Sequence, residues 1–126
     1  MKVQSSEDVE SKPVEMEGAI GCCMRLLISS EQGAPNFAMR LFEIEPGGHT
    51  PRHAHPYEHE IFILEGQGMV VEGDQQHPLK AGDVVFVQPN EVHQFRSHEK
   101  TPLKLLCLVP NSSAGQKVTL APDCRG

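Results

Sequence analysis

Short apolar or alternating segments recur along the chain, and none of them is long enough to favour a helix. Glycine- and proline-rich turn signals, such as 46–48 and 65–68, separate many of these segments. Many short strands at regular spacing are typical of a sandwich or barrel, so the pattern predicts an all-β fold. The predicted strand segments are 22–28, 37–44, 61–64, 69–71, 84–87, 92–95 and 103–109.

The two ends of the chain differ from the middle in polarity. We predict an N-terminal arm or edge strand over 1–20, a barrel over 21–120 with a last short strand at 118–120, and a C-terminal tail over 121–126. Acidic residues stand in the first eight positions, where a signal peptide would place an apolar core, and no apolar run approaches the length of a membrane span. We therefore expect a cytoplasmic protein with no membrane partner.

Charge and size narrow the classes of function. The 126 residues include 11 Lys plus Arg and 17 Asp plus Glu, a net charge of −6 that argues against a nucleic-acid partner. A chain of this length buries enough surface to fold without a disulfide or structural metal, so a metal here would be functional. The four cysteines show no CxxC spacing, and we expect free thiols, with Cys107 packed as a small hydrophobe.

Three histidines fall within seven residues, at His53, His55 and His59. Side chains two apart on a strand share a face, so His53 and His55 can point together, and Pro56 then enforces a turn. Along the next strand, His59 shares its face with residues 61 and 63, whereas Glu60 points the other way. Three imidazoles could converge on one transition metal, with a solvated, histidine-rich loop as the alternative.

The frame around these histidines resembles the cupin family over about residues 22–120. The first cupin motif has the form G-x5-H-x-H-x3(or 4)-E-x6-G, and Gly47, His53, His55, His59 and Gly66 fit its spacing. His59 stands where glutamate is usual, and Glu60 is the competing candidate for that position. The spacing to Gly66 and the strand alternation favour His59.

The second cupin motif has the form G-x5-P-x-G-x2-H-x3-N. Gly82, Asn90 and His93 lie on its frame, while Gln88 and Ser97 replace the proline and the final asparagine. Asparagine adopts the left-handed backbone conformation more readily than other non-glycine residues, so Asn90 can replace glycine in the turn before His93.

Within the family, the chain resembles small bacterial and archaeal single-domain cupins that bind manganese through four histidines. The resemblance implies a single-domain jelly-roll β-barrel that pairs as a homodimer. It also implies one divalent transition metal, with Mn favoured and Fe, Ni, Cu and Zn as alternatives. The implied ligands are His53, His55, His59 and His93.

Four neutral imidazoles leave a divalent ion its full charge, so the site should attract a small anionic or chelating organic ligand. Resemblance to oxygen-using cupins favours oxidative, dioxygenase-like chemistry. The alternatives are a non-redox lyase or isomerase, and a binding or sensor protein that does not transform its ligand.

Strand alternation also predicts the walls of a substrate pocket. Arg40 could hold the far end of an anion or extend to solvent at a sheet edge, and Glu60 is a candidate general base despite its outward direction. We expect His49 and Arg52 to lie in a solvated loop at the barrel mouth, with Arg52 as a possible substrate contact. The predicted pocket residues are Arg40, Phe42, Ile61, Ile63, Phe95 and Cys107.

Overall fold

The computed structural model describes residues 1–113 and 119–120, and its regular structure there is β-strand with three short 3-10 turns. The prediction of a single-domain, all-β jelly-roll barrel is confirmed. Within these ranges no helix has the length and apolar character of a membrane span. The strands are β1 Ser11–Pro13, β2 Ile20–Ile28, β3 Phe37–His49, β4 His53–Ala54, β5 His59–Glu72, β6 Gln75–Lys80, β7 Val84–Val87, β8 His93–Ser97, β9 Leu103–Pro110 and β10 Thr119–Leu120.

Two long strands, β3 and β5, connect the two sides of the barrel. The first half of β5 pairs with β7 and β9, and its second half pairs with β6 and β8. Most of β3 pairs with β2 and β9, and its last residue, His49, pairs with both β2 and β8. The described strands therefore form one curved sheet that folds onto itself around a common interior.

The glycines at 66 and 68 lie within β5, although the sequence predicted a turn there between two separate strands. Gly66 has φ +88°, and a Cβ on it would overlap the carbonyl of Pro102. A Cβ on Gly68 would overlap the carbonyl of Arg96. These glycines therefore allow a continuous strand to bend and to pass close to its neighbours. Glycine within a strand commonly marks such a bend or close backbone approach.

The interior is built from alternating strand positions. On β9 the buried side chains are Leu103, Leu105, Cys107 and Val109, so the prediction that Cys107 packs inward is confirmed. Ile44 and the neighbouring strands complete an apolar core below the site described next.

The N-terminal segment joins this barrel at an edge. β1 pairs with β2 in the register Ser11↔Arg25, Lys12↔Met24 and Pro13↔Cys23, and Val14 packs against the core. At the other end, β10 pairs with β4. Residue 118 and the predicted tail at 121–126 lie outside the described residues.

Candidate metal centre

Neighbouring strands and loops bring four histidines together. His53 lies on β4 directly opposite His93 at the start of β8, and His59 begins β5. His55 follows β4, and its carbonyl oxygen accepts a hydrogen bond of 2.7 Å from the backbone N–H of Asn90. This bond ties the loop that carries His55 to the turn that leads into His93.

That turn has the backbone conformation expected from the sequence. Asn90 has φ +68°, the one positive φ at a non-glycine residue in the described part of the chain. The backbone N–H of Glu91 donates to the carbonyl of Gln88 at 3.2 Å, with Pro89 between them. Proline at the second position and a positive φ at the third are typical of a type II turn. The prediction that Asn90 takes the place of a turn glycine agrees with this geometry.

The four imidazoles form one compact cluster. Candidate ligand nitrogens, one from each of His53, His55, His59 and His93, all lie within 4.8 Å of one another. The Nε2 atoms of His55 and His59 are 2.6 Å apart. His55, His59 and His93 are buried, and His53 is half-buried. The solvated-loop alternative is therefore wrong.

Backbone carbonyls orient two of these rings. The Nδ1 of His55 donates to the carbonyl of Tyr57 at 2.8 Å, and the Nδ1 of His93 donates to the carbonyl of Glu91 at the same distance. Because a carbonyl can only accept, both protons must be on Nδ1, and each Nε2 carries a lone pair. Ligand histidines in metal sites are commonly held in this way.

Burial keeps the cluster neutral. Desolvation and the neighbouring imidazoles lower the pKa of His53 to about 3, and desolvation lowers the pKa of His93 to about 4. Burial likewise lowers the pKa of His55 and of His59. The Nε2 of His93 and the Nδ1 of His53 are buried without a hydrogen-bond partner among the described residues. Neutral imidazoles with unpaired nitrogens fit a divalent transition metal.

A cavity of about 470 Å³ opens beside the histidines. Its walls are apolar side chains from five strands, namely Met24, Phe42, Ile61, Phe95 and Leu105. Residues 12–16 of the N-terminal segment form a further wall. The cavity wall is therefore largely apolar, and part of it is built by a segment for which the sequence suggested no role.

Arg40 places a positive charge next to the cluster. Its Nη2 lies 3.3 Å from the Nδ1 of His59 and donates to the Sγ of Cys107 at 3.2 Å. The guanidinium carbon lies 5.1 Å from the ring centroid of Phe42, within the range of a cation–π contact. The alternative of an Arg40 that extends to solvent therefore does not describe the structure.

Two predicted site residues are not in the cavity. Arg40, Phe42, Ile61, Phe95 and Cys107 line it, but Ile63 is fully buried in the core instead. Glu60 is exposed and lines a separate depression on the outer surface, with Phe62 and Phe86. Strand alternation directs Glu60 away from the histidines, so it is not positioned as a base for chemistry in the cavity.

The sequence interpretation also missed contributors to the site. Tyr57 lines the cavity and stacks on His55, with ring centroids 3.8 Å apart and an interplanar angle of 7°. Its position two residues after a candidate ligand was the available signal. His49 is buried and not solvated, because its Nδ1 lies 3.2 Å from the Nε2 of Gln94 inside a polar cluster. Arg52 is half-buried and donates to the carbonyl of Gly73 at 2.9 Å.

The fold is a jelly-roll barrel, and four clustered, neutral histidines lie at one end of its cavity. This combination is typical of barrels that can hold a metal ion. The chain belongs to the cupin family, because residues 40–109 match the family described as Cupin domain. This finding confirms the resemblance drawn from the two histidine motifs.

The chain is similar to proteins with different names and activities. The chain is 33% identical over 113 residues to the oxalate-binding protein of Thermotoga maritima, covering 86% of this chain and 93% of that protein. It is similar to the polyketide cyclase RemF of Streptomyces resistomycificus, with a TM-score of 0.90, 30% identity and coverage of 99% and 88% of the two chains. It is also similar to a predicted oxalate decarboxylase of Thermotoga maritima, with a TM-score of 0.76, 28% identity and coverage of 86% and 98%.

Proposed function

We propose that this cupin is a metal-dependent enzyme that binds an anionic, enolisable carbonyl compound of the polyketide type and promotes its ring closure by acid–base chemistry. The observation that carries the proposal is the apolar cavity of about 470 Å³ beside the four histidines. Cavities of this size suit drug-sized ligands. Oxalate, a two-carbon dianion with no apolar surface, would fill little of it. The overall similarity to a polyketide cyclase supports the same choice.

One divalent transition metal would be held by His53, His55, His59 and His93, and when bound it would polarise a substrate oxygen. Manganese stays the favoured ion from the family resemblance, ahead of Fe, Ni, Cu and Zn. Elemental analysis of untagged protein tests this assignment. We expect near one metal ion per chain, and His59→Ala should lose it while Glu60→Ala, on the outer face of the same strand, should keep it.

The residues of the chain supply the remaining functions. Arg40 offers charged donors for the negative charge that develops on an enolate oxygen. Phe42, Ile61 and Phe95 provide apolar surface for the carbon skeleton and exclude water, which strengthens that electrostatic interaction. Burial raises the pKa of Tyr57, so its hydroxyl keeps its proton and can donate to a carbonyl oxygen.

The proposal is tested with an aryl β-diketone as the probe. Titrated into Mn²⁺-loaded protein, it should produce an enolate absorption band and should bind more tightly than oxalate. The band should be absent with His59→Ala and retained with His77→Ala, which removes an exposed histidine outside the cavity. Tighter binding of oxalate than of the diketone would contradict the proposal.

The oxidative reaction favoured by the sequence ranks second, because the similarity to a polyketide cyclase favours acid–base chemistry. An oxygen electrode separates the two reactions. A linear aryl polyketone, whose enolisable carbon can bond to a distant ketone carbon of the same molecule with loss of water, should be converted without O₂ consumption, whereas stoichiometric O₂ uptake would establish the oxidative alternative. Binding of the polyketone with no change in it would favour a binding or sensor protein.

We further propose that the chain pairs as a homodimer through the outer face of β5, β7 and β9. Phe62, Val84 and Phe86 are exposed by 45%, 73% and 58%, and Phe62 lies opposite both Val84 and Leu106 in the sheet. A contiguous apolar patch of this kind marks an interaction surface. Light scattering after size exclusion should give twice the chain mass, and Phe86→Lys should give one chain mass.

A further inference from the structure

The sulfur of Cys107 lies between a candidate metal ligand and an arginine. Its Sγ is 2.9 Å from the Nδ1 of His59 and 3.2 Å from the Nη2 of Arg40. Cys107 is buried, and its side chain points inward from β9 with those of Leu105 and Val109. The sulfur is therefore held in a fixed environment and not at the protein surface.

A metal-ligand role for the Nε2 of His59 assigns a direction to the contact between Cys107 and the Nδ1 of His59. A histidine that binds a metal through Nε2 carries its proton on Nδ1, as His55 and His93 do in their bonds to carbonyls. The hydrogen-bonding neighbours of the His59 Nδ1 are the Cys107 Sγ and the Arg40 Nη2. A guanidinium can only donate, so the sulfur is the atom that can accept the Nδ1 proton.

The opposite direction is incompatible with a ligand role for His59. If the thiol donated to Nδ1, the proton of the neutral ring would lie on Nε2. That nitrogen is 2.6 Å from the Nε2 of His55, inside the histidine cluster. A proton there would occupy the lone pair that a metal requires.

We propose that Cys107 is a positioning residue for the metal ligand His59, accepting the Nδ1 proton at its sulfur while Arg40 donates a second hydrogen bond to the same sulfur. The inference rests on the proposed four-histidine metal site and deepens it. His59 is thereby held differently from His55 and His93, because a sulfur is a weaker acceptor than a backbone carbonyl. Its orientation therefore depends on side chains and not on a backbone carbonyl.

Three variants test this role with Co²⁺ alone as the probe. Cys107→Val keeps the approximate volume but removes the acceptor, and Cys107→Ser restores an acceptor. Val109→Ala, two residues along β9 and also buried, is the control for altered packing on that strand. Thermal melting of each metal-free variant establishes that it is folded, and Cys107→Ala replaces Cys107→Val if the latter does not fold.

We expect Cys107→Val to weaken Co²⁺ binding by about 10- to 100-fold, the range found when an outer partner of a ligand histidine is removed. The visible absorption of the Co²⁺ complex should also change. Cys107→Ser should recover most of the affinity, and Val109→Ala should match the unaltered protein within a few-fold.

The outcomes separate this inference from the proposal on which it rests. If the unaltered protein binds no Co²⁺, the four-histidine site itself is wrong. If it binds Co²⁺ and Cys107→Val binds equally well with the same spectrum, Cys107 does not position His59. Equal loss of affinity in the valine and serine variants would indicate a packing effect and would also overturn the inference.

Discussion

The buried histidines make the metal-free protein sensitive to acid. In the folded chain the pKa of His53 is lowered to about 3 and that of His93 to about 4, whereas in the unfolded chain both titrate near the ordinary value of 6.5. Between these limits the unfolded state binds more protons than the folded state. The free energy of unfolding therefore falls as the pH drops from about 6.5 towards 4.

The size of this effect follows from the two shifts. A pH of 5 lies about 1.5 units below the unfolded-state pKa, so each imidazole is protonated in the unfolded chain and neutral in the folded chain. This difference lowers the free energy of unfolding by about 2 kcal/mol per histidine. Partial solvent exposure of His53 reduces its share, so the two together give about 3 kcal/mol. That is a large fraction of the stability of a typical domain, about 5–15 kcal/mol. For a chain of this size it corresponds to a melting temperature about 10 °C lower.

The assay is thermal melting of chelator-treated protein by circular dichroism at pH 7.5, 6.5, 5.5 and 5.0. His93→Gln removes one of the buried imidazoles and should reduce the decline, whereas His77→Gln, at an exposed site, should leave it unchanged. A melting temperature that stays constant or rises between pH 7.5 and 5.0 would refute the reasoning. Bound metal should raise the melting temperature across this pH range. The melting temperature should then fall more steeply towards acid, because protons compete with the metal for the imidazoles.

Three substitutions test other features of the structure. Gly66→Ala should destabilise the fold by about 3 kcal/mol or more in urea unfolding, because the residue has a positive φ and its Cβ would overlap the Pro102 carbonyl. Asn90→Val should lower stability by about 1–2 kcal/mol, whereas Asn90→Gly should not, since glycine adopts the left-handed conformation freely. Arg40→Gln should weaken binding of the anionic diketone to metal-loaded protein by about 10-fold, with metal affinity reduced less.

Specific results would contradict each of these expectations. An alanine at 66 with unchanged urea midpoint would mean that β5 can shift away from Pro102. Equal stability of the valine and glycine variants at 90 would mean that the turn tolerates another backbone conformation. A glutamine at 40 that leaves diketone affinity unchanged would remove Arg40 from the ligand site.

The sequence predicted the directions of side chains on β5 well, because alternation along a strand is fixed by backbone geometry. His59 and Ile61 point inward, and Glu60 points outward. The same rule did not predict that Ile63 lies outside the cavity. Alternation gives the face of the sheet on which a side chain lies, but not its position along the barrel interior. Ile63 is on the inner face but lies in the core beyond the cavity.

The burial of His49 and the contact between Cys107 and His59 could not be predicted from a local sequence pattern, because they depend on residues distant in sequence. His49 is buried by Gln94, a residue 45 positions away. The contact between Cys107 and His59 spans 48 positions. The left-handed turn at Asn90 could be predicted, because it depends on the residue type itself.

The N-terminal segment that walls the cavity has a consequence for how related proteins diverge. Residues 12–16 border the ligand space, yet they are attached by backbone pairing with β2 at a sheet edge and carry none of the four histidines. Substitutions there can reshape the space available to a ligand without disturbing the strands that orient the imidazoles. One determinant of ligand selectivity can therefore change in this chain while the metal ligands stay the same.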